Sequence, residues 1–271
     1  MNILLESVSF TYPGGVVALR DVSLSIAPGE AVAILGENGA GKTTLARHLN
    51  GSLQPGRGRV TVGDWDTRRR SVAQMARRVG YAFQNPDEQL FAQSVEAEVA
   101  FGPRNLGASD DEVRARVRDA LEQVGLVGAA GSHPYDLQPA QRKLVALAAV
   151  LAMRTPVVVL DEPTTGQDAR GLALLGAVVA RLKAEGRTVL AISHDVDFCF
   201  DHFERAVVLS RGAVLADGPA AAVLADGERL SYAAVEPAQF ALLATILGLP
   251  VMPRTVEECV DALAACKGAA G

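Results

Sequence analysis

The chain is poor in the residues on which disulfide-stapled and aromatic-rich proteins depend. It has only three cysteines, Cys199, Cys259 and Cys266, and no CxxC pair, so we expect free thiols rather than a disulfide or metal framework. Aromatic residues make up 5% of the 271 residues, and the core must therefore be built from alanine, valine and leucine. Lysine occurs at only four positions, which makes a lysine inside a phosphate-binding pattern more informative.

Long apolar stretches are also missing. The longest ones, 144–153 and 171–180, hold about ten residues each, whereas a helix needs about 20 to cross a bilayer. The first ten residues contain no basic segment followed by an apolar run, so no signal peptide is expected. The sequence predicts a soluble chain, whose connection to a membrane would run through a partner.

The charge balance gives no reason to expect wholesale nucleic-acid binding. The formal net charge is −5, with 49% hydrophobic and 21% charged residues, which is typical of an ordinary globular protein. One basic cluster occurs, at 68–70 and 77–78. It could contact nucleic acid or anionic lipid, but we favour a solvated face and expect no nucleic-acid partner.

Short apolar runs alternate with helical segments in much of the chain. These runs lie at 31–35, 79–83, 157–160, 188–192 and 205–209. Such alternation predicts an α/β fold with a parallel sheet covered on both faces. Residues 3–10 and 16–26 predict two further strands, and helical spacing dominates from 85 to 153 and again after about 225, where residues 255–258 form a capping box.

Residues 36–43 read Gly-Glu-Asn-Gly-Ala-Gly-Lys-Thr, which matches the phosphate-loop pattern GxxxxGK[ST]. The motif follows an apolar strand and opens a helix, where backbone N–H groups and the helix dipole favour phosphate. Lys42 would reach the β- and γ-phosphate oxygens, and the Thr43 hydroxyl would ligate Mg²⁺. The alternative is a structural glycine-rich turn. The predicted nucleotide-binding residues here are Gly36, Asn38, Gly39, Ala40, Gly41, Lys42, Thr43 and Thr44.

Two carboxylates, Asp161 and Glu162, end the apolar run at 157–160. The carboxyl ends of parallel strands form the edge at which open α/β sheets bind ligands. Asp161 would hold Mg²⁺ through water, and Glu162 would polarise the attacking water. Without the phosphate loop, a solvated acid pair would be an equal alternative. No NKxD motif occurs, which disfavours a guanine-specific GTPase.

With these motifs the chain resembles the ATPase subunits of ABC transporters, and within that class the ATPases of energy-coupling factor (ECF) transporters. The class-level resemblance rests on residues 36–44, Gln84, and residues 157–163, 164–168 and 192–195. The subfamily resemblance rests on residues 83–91, 99–107 and 247–250. It implies an α/β phosphate-loop NTPase with a RecA-like core, an antiparallel β subdomain and a helical signature subdomain at about 86–155. This ATPase domain would span 1–224, and 225–271 would form a small C-terminal α-helical extension.

The resemblance assigns further roles. Tyr12 would stack on adenine, and Gln84 would sense Mg²⁺ and the lytic water and pass the nucleotide state to residues 85–92, which touch the membrane partner in this family. His194 would contact the γ-phosphate and steady the catalytic glutamate. Asp168 would face a second ATPase subunit. The structural alternatives are a half-buried strand tyrosine, a solvated glutamine, a structural histidine and an exposed loop aspartate.

One motif departs from the family pattern. ABC ATPases carry Leu-Ser-Gly-Gly-Gln before the acidic strand, where it serves the ATP of the opposite subunit, but residues 137–141 read Leu-Gln-Pro-Ala-Gln. Pro139 has no N–H to donate, Ala140 adds a Cβ where close approach favours glycine, and Gln138 is bulkier than serine. Gln141 is retained. Proline suits the first turn of a helix, so the helix should persist while its anion site is degraded.

The prediction is therefore an ATP-hydrolysing subunit, peripheral on the cytoplasmic face of the membrane, that powers an ECF-type importer of vitamins or metal ions. Its expected partners are a second ABC ATPase, an integral-membrane coupling subunit and a substrate-capture subunit. The altered signature favours a heterodimer with one degenerate ATP site, although Gln138 could replace the serine. Two alternatives are a soluble ABC-type ATPase acting on nucleic acid and a nucleotide-dependent regulator that does not hydrolyse ATP. The C-terminal helices could dimerise, regulate or extend the core.

Overall fold

The computed structural model describes residues 1–249, 253 and 256–269. Strands and helices alternate along most of this part of the chain. The strands are β1 (Ile3–Thr11), β2 (Val17–Ile26), β3 (Ala31–Gly36), β4 (Arg57–Val62), β5 (Trp65–Asp66), β6 (Val79–Ala82), β7 (Val157–Asp161), β8 (Thr188–Ile192), β9 (Arg205–Ser210) and β10 (Ala213–Pro219).

The helices occupy the connections and the C-terminal part. They are α1 (Lys42–Leu49), α2 (Val72–Met75), α3 (Val95–Asn105), α4 (Asp110–Gln123), α5 (Pro139–Met153), α6 (Ala169–Ala184), α7 (Val196–His202), α8 (Ala220–Val223), α9 (Gly227–Ser231), α10 (Gln239–Leu247) and α11 (Val256–Ala269). Short 3-10 helices lie at Thr67–Arg69, Pro86–Glu88, Val127–Ala129 and Pro134–Asp136. None of the helices in the described ranges is both long and apolar enough to cross a bilayer.

The strands form two sheets. A four-stranded antiparallel sheet has the order β2-β1-β4-β5, and a six-stranded sheet has the order β10-β9-β3-β8-β7-β6. In the larger sheet the strands from β9 to β6 run parallel, and β10 joins β9 antiparallel. The fold class inferred from the sequence, an α/β core with an antiparallel β subdomain and a helical segment, is confirmed.

Alternate residues of the central strands enter two different cores, because successive side chains on a strand point to opposite faces of the sheet. Val158 and Leu160 of β7 pack in the core shared with α3–α6, whereas Val157 and Val159 pack in the core shared with α1 and the antiparallel sheet. Both faces of the sheet are therefore covered, which explains the uninterrupted apolar run in β7.

The parallel register brings the carboxyl ends of four neighbouring strands to one edge. Asp161 at the end of β7 pairs with Ile192 at the end of β8, and Ile192 pairs with Ile34 near the end of β3. The segments that leave these ends are the phosphate loop after β3, Glu162 after β7, and the Ser193–His194 turn after β8. β6, next to β7, leads into Gln84 at the same edge.

The helical segment between β6 and β7 is held by well-capped helices. A capping box opens α4, since the Ser109 hydroxyl accepts from the Glu112 N–H and the Glu112 side chain accepts from the Ser109 N–H. The helix α5 begins at Pro139, as predicted. It ends at Met153 because Arg154 adopts a left-handed conformation, with φ +55°, two residues before Pro156.

The first part of the C-terminal segment packs on the ATPase core. Leu230, Ala233, Ala238 and Ala241 are buried in the same cluster as α5 and α6. The domain boundary at 224/225 stays a prediction. The capping box at 255–258 includes residue 255, and the family string at 247–250 includes residue 250, both of which lie outside the described residues.

Candidate functional site

The phosphate loop takes a conformation that requires glycine at two positions. Gly36 has φ +142°, and a Cβ on it would overlap the carbonyl oxygen of Leu209. Gly41 has φ +102° and caps α1, and a Cβ there would overlap the carbonyl oxygen of Ala18. These contacts explain why only glycine fits, and they curl the backbone so that the first turn of α1, whose N–H groups lack intrahelical acceptors, opens into a cavity.

This cavity gathers most of the predicted site residues. It has a volume of about 320 Å³, room for part of a nucleotide in contact with this subunit. It is lined by Tyr12, Val16, Ala18, Asn38, Gly39, Ala40, Gly41, Lys42, Thr43, Thr44, Gln84, Glu162 and His194. Residues from five separate segments of the sequence therefore meet at one site, although Gly36 and Asp161 are outside this lining.

The side chain of Lys42 is buried within the phosphate loop. Its side chain is 6% exposed, and Nζ donates to the carbonyl oxygens of Gly36 at 2.7 Å and Glu37 at 3.0 Å. Burial lowers the pKa of the Lys42 amine, while the carboxylates of Glu162 and Asp161 act in the opposite direction. A buried cation whose nearest partners are neutral carbonyl oxygens can exchange them for the oxygens of an anionic ligand.

Asp161 lies between Thr43 and a residue that the sequence analysis did not single out. Its Oδ1 accepts from the Thr43 hydroxyl at 3.3 Å, and its Oδ2 accepts from the Tyr81 hydroxyl at 2.7 Å. Burial raises the pKa of the Asp161 carboxyl, and the two hydrogen bonds oppose that rise. A hydroxyl and a carboxylate oxygen held side by side are the donor set that Mg²⁺ prefers.

Glu162 is held in a strained conformation. Its φ is +51°, in the left-handed region that residues other than glycine seldom adopt. Its N–H donates to the carbonyl of Ile192 at 2.9 Å, and its own carbonyl accepts from Lys143 Nζ at 3.1 Å. These contacts keep the carboxylate at the cavity wall, where burial raises its pKa to about 6.

His194 contacts this glutamate directly. Its backbone N–H lies 3.3 Å from Glu162 Oε2, and its Nε2 lies 3.0 Å from Oε1, closer than the 3.5 Å to Lys42 Nζ. Burial and then the charge of Lys42 lower the pKa of the imidazole, so the ring is neutral at pH 7. A neutral ring has a single N–H, and a carboxylate accepts whereas the Lys42 ammonium only donates, so a proton on Nε2 is donated to Glu162.

The aromatic residue expected near adenine is at the mouth of the cavity. The Tyr12 hydroxyl lies 3.0 Å from Thr44 Oγ1. Its ring meets the ring of Phe10 edge to face, with centroids 4.9 Å apart, and Phe10 meets His48 in the same way at 5.0 Å. The ring of Tyr12 is therefore supported from behind, while its adenine-stacking role stays a prediction.

The altered signature lies away from this cavity. Gln138 and Pro139 are exposed at the start of α5, and none of residues 138–141 lines the cavity. The Gln138 N–H donates to Gln141 Oε1 at 3.2 Å. Of the N–H groups contributed by residues 138–140, one is missing at Pro139 and one is occupied by Gln141, which leaves the N–H of Ala140.

Asp168 has a local role in the structure. Its Oδ1 accepts from the Gly171 N–H at 2.8 Å and caps α6. It lies outside the lining of the cavity, as does the neighbouring Gln167, whose side chain donates to the carbonyl of Ala140 at 3.1 Å. The loop after β7 is thereby tied to the start of α5. The contact of Asp168 with a second subunit stays a prediction.

An apolar groove adjoins the site on the side of Gln84. Its volume is about 730 Å³, and its walls come from α2, β6, the segment 83–91, α3 and α5. Phe91 and Phe101 are 59% and 49% exposed there and meet edge to face, with ring centroids 4.7 Å apart. Gln89 fixes the rim, since its side chain bonds the N–H of Phe83 and the carbonyl of Ala146.

The comparisons with known proteins identify the family. The ABC transporter family model matches residues 19–165, more than half of the chain. The chain belongs to the ABC transporter ATPases. It is therefore an ATP-binding subunit of this class, with the ATPase activity coupled to transport that defines the family.

Two curated relatives cover most of the chain. The energy-coupling factor transporter ATP-binding protein EcfA of Methanothermobacter thermautotrophicus is 41% identical over 86% of this chain and 76% of its own length. The cobalt import ATP-binding protein CbiO of Rhodobacter capsulatus is 43% identical over 86% of this chain and 84% of its own length. The resemblance to ECF-type ATPases stated from the sequence is confirmed.

Solved structures agree. CbiO1 of Clostridium perfringens, described as part of the ABC transporter complex CbiONQ, matches with a TM-score of 0.74 and 34% identity, covering 84% of this chain and 92% of that protein. A dimeric ATP-binding cassette, MJ0796 bound to ADP and phosphate, matches with a TM-score of 0.75 and 25% identity over 80% of this chain and 98% of its own.

Proposed function

We propose that this ABC ATPase powers an ECF-type importer, and that it hydrolyses MgATP between its own phosphate loop and the signature of a second ATPase chain. The observation that carries the proposal is the cavity in which Lys42, Thr43, Glu162 and His194 meet, with Asp161 directly behind. The similarity to EcfA and CbiO supports the importer, with a vitamin or a metal ion as its cargo.

The donor set fits a magnesium-bound triphosphate. The Thr43 hydroxyl and Asp161 Oδ1 lie 3.3 Å apart, close enough to be held by one cation directly and through water. Gln84, which is exposed just after the end of β6, lines the same cavity. When bound, Mg²⁺ neutralises charge on the β- and γ-phosphates. Lys42 and the N–H groups of residues 39–44 would hold the phosphate oxygens.

Glu162 and His194 would act at the γ-phosphate end. The carboxylate of Glu162 faces the cavity and would take the proton of the attacking water, or orient that water, while the His194 N–H keeps the carboxylate in place. The strained backbone of Glu162 supports this assignment, because such strain is retained where a side chain must be aimed. Retention of both residues disfavours a regulator that only binds nucleotide.

We further propose a heterodimer with one degenerate site. The start of α5 offers the ATP of the opposite subunit neither a serine hydroxyl nor the N–H that a glycine at position 139 would supply. Hydrogen bonds to charged groups contribute about 1.5–3 kcal/mol each, so the loss of two slows the affected site by at least about 100-fold. A partner with an intact signature would restore the site built on Lys42, and only that site.

The groove beside Gln84 is where we place the membrane partner. Its apolar walls include the exposed rings of Phe91 and Phe101, and exposed aromatic residues in a concave surface are typical anchors for a partner. Asp87 of the same rim bonds Arg142 of α5 at 2.9 Å, so a partner seated there would touch both the glutamine segment and the signature helix. This assembly would sit on the cytoplasmic face of the membrane.

The alternative of a nucleic-acid-dependent ATPase finds little support in the basic cluster. Arg78 pairs with Asp64 at 2.6 Å and lies over the Trp65 ring at 3.7 Å from its centroid, and Arg68 pairs with Asp66 at 3.6 Å. These guanidinium groups are already engaged within the antiparallel sheet.

The decisive experiment compares ATP hydrolysis by the chain with and without a second ATPase subunit. Phosphate release is measured for the purified chain alone and for the chain mixed with the ABC ATPase that co-purifies with it from membranes. We expect low activity alone and at least about 100-fold more in the mixture. Full activity of the chain alone would refute the heterodimer, and no ATP binding in either sample would refute the proposed function as a whole.

A further inference from the structure

The hydrogen bond between Tyr81 and Asp161 has no counterpart in the motifs that identify this site. Tyr81 lies on β6 and pairs with Val159, two residues before Asp161 on β7. The side chains of Tyr81, Val159 and Asp161 therefore lie on one face of the sheet, since strand side chains alternate. The Tyr81 ring spans the distance along the strand, and its hydroxyl reaches Asp161 Oδ2 at 2.7 Å.

The direction of this hydrogen bond is fixed. Tyr81 is 7% exposed, and its hydroxyl lies 2.7 Å from Asp161 Oδ2. A carboxylate oxygen accepts, and a phenol has a single O–H to give. Tyr81 therefore donates, and this bond satisfies one oxygen of a buried carboxylate.

The bond also selects which carboxylate oxygen is left for other partners. Oδ2 is occupied by Tyr81, and Oδ1 is the oxygen turned to the Thr43 hydroxyl at 3.3 Å. A carboxylate fixed at one oxygen cannot rotate about its terminal bond without losing a charge-assisted hydrogen bond. The Tyr81 ring lines the groove and does not line the nucleotide cavity.

We infer that Tyr81 is a positioning residue of the magnesium site, which holds the Asp161 carboxylate with Oδ1 presented to the metal beside Thr43. The inference rests on the proposed function, because it takes Asp161 and Thr43 as the residues that bind the metal. Tyr81 does not touch nucleotide. Its effect is confined to the free energy that Mg²⁺ adds to ATP binding.

The test measures equilibrium binding rather than turnover. ATP binding to the full chain is titrated by calorimetry with Mg²⁺ and with EDTA, in a Glu162→Gln background that prevents hydrolysis, and the ratio of the two affinities is the gain due to metal. Tyr81→Phe removes only the hydroxyl. We expect it to reduce this gain by about tenfold, the equivalent of one hydrogen bond to a charged group, and to leave the affinity in EDTA unchanged.

Matched variants separate positioning from folding. Tyr232→Phe deletes a tyrosine hydroxyl from a residue that is 68% exposed in the C-terminal segment, and it should leave the gain unchanged. Incorporation of 4-aminophenylalanine at position 81 returns a donor with the same ring, and it should restore most of the gain even if the phenylalanine variant folds poorly.

Each outcome either supports or overturns the positioning role of Tyr81. A Tyr81→Phe chain with the full metal-dependent gain would overturn the inference while leaving the proposed function intact. A 4-aminophenylalanine chain that loses as much as the phenylalanine chain would also overturn it, since a donor would then have no effect. If the Glu162→Gln parent gained nothing from Mg²⁺, both the metal site and the role of Tyr81 would be refuted.

Discussion

The edge of the parallel sheet and the exposed start of α5 are the two regions assigned to ATP in the proposed function, and they differ in the groups that they retain. At the sheet edge the loop glycines, Lys42 and the acidic pair are all in place and in mutual contact. At α5 the helix is intact, whereas Pro139 removes a donor and Gln141 occupies another. A proline is compatible with the first turn of a helix but has no N–H to donate to an anion, so the helix can persist where its anion site is degraded.

This contrast is the basis of the proposed heterodimer. In that proposal the residues at the sheet edge act on the ATP bound by this chain, and the start of α5 acts on the ATP of the opposite subunit. Loss at one place and retention at the other would then produce an asymmetric pair of sites rather than an inactive enzyme. Two of the predictions below test this contrast: one removes a residue at the sheet edge, and the other restores hydrogen-bond donors at the start of α5.

The largest effect is expected from removal of the carboxylate that we propose to be catalytic. Glu162→Gln keeps the shape and the backbone contacts of the residue but cannot accept a proton, so phosphate release by the active complex should fall at least about 100-fold with ATP binding retained. Glu122→Gln, an exposed position on α4, is the control and should retain parental activity. Unchanged phosphate release in the Glu162 variant would favour a role without hydrolysis.

Repair of the signature should have the opposite sign. The variant Q138S/P139G/A140G returns a hydroxyl and an N–H to the start of α5, and ATPase activity of the chain alone should rise by up to about 100-fold. The variant Q138A alters the same helix start, keeps Pro139 and restores neither donor, so it is the matched control. If both variants have the same low activity, the altered signature does not limit turnover.

The groove should matter for assembly and not for nucleotide binding. Replacement of Phe91 and Phe101 by serine removes two exposed rings, each comparable with an interface anchor, and should reduce recovery of the chain with its membrane partner by about tenfold or more. Val127→Ser, at a residue 51% exposed outside the groove, is the control. Undiminished co-purification from solubilised membranes would place the partner elsewhere.

The smallest effect is expected at the mouth of the cavity. Tyr12→Ala should weaken ATP binding by about fivefold, because stacking of a base on an aromatic ring contributes about 1–3 kcal/mol. Tyr12→Phe keeps the ring and should lose little. Tripolyphosphate, which lacks adenine, should bind both variants equally well. If its binding falls as much as that of ATP, Tyr12 supports the loop through Thr44 rather than the base.

The sequence alone predicts the parallel sheet and the site edge well, since both depend on uninterrupted apolar runs and on motifs with fixed spacing. The strands β4, β5 and β10 were not anticipated from periodicity. β4 begins with Arg-Gly-Arg rather than with an apolar run, β5 has two residues, and β10 contains Gly218 and Pro219. Their place depends on pairing with distant strands, which local patterns do not encode.

The same limit applies within the site. Lys42, Asp161 and Glu162 were found because each has a motif, whereas Tyr81 and Lys143 act through single hydrogen bonds to those residues from other elements. A tyrosine inside an apolar strand is ordinarily a core residue. Only the register of β6 on β7 reveals that its hydroxyl ends at a carboxylate.

The most direct test of the account concerns Lys42 and the affinity for ATP. Equilibrium binding of ATP in the presence of Mg²⁺ is measured for the purified chain and for Lys42→Ala. Lys183→Ala is the control for loss of a lysine, because Lys183 pairs with Glu204 and lies outside the nucleotide cavity. We predict saturable binding by the parent and the control, and an affinity lower by at least about 100-fold in Lys42→Ala, since the phosphate oxygens lose their buried cation. Equal affinity of the parent and the Lys42 variant would contradict the assignment of the phosphate loop, and with it the proposed site.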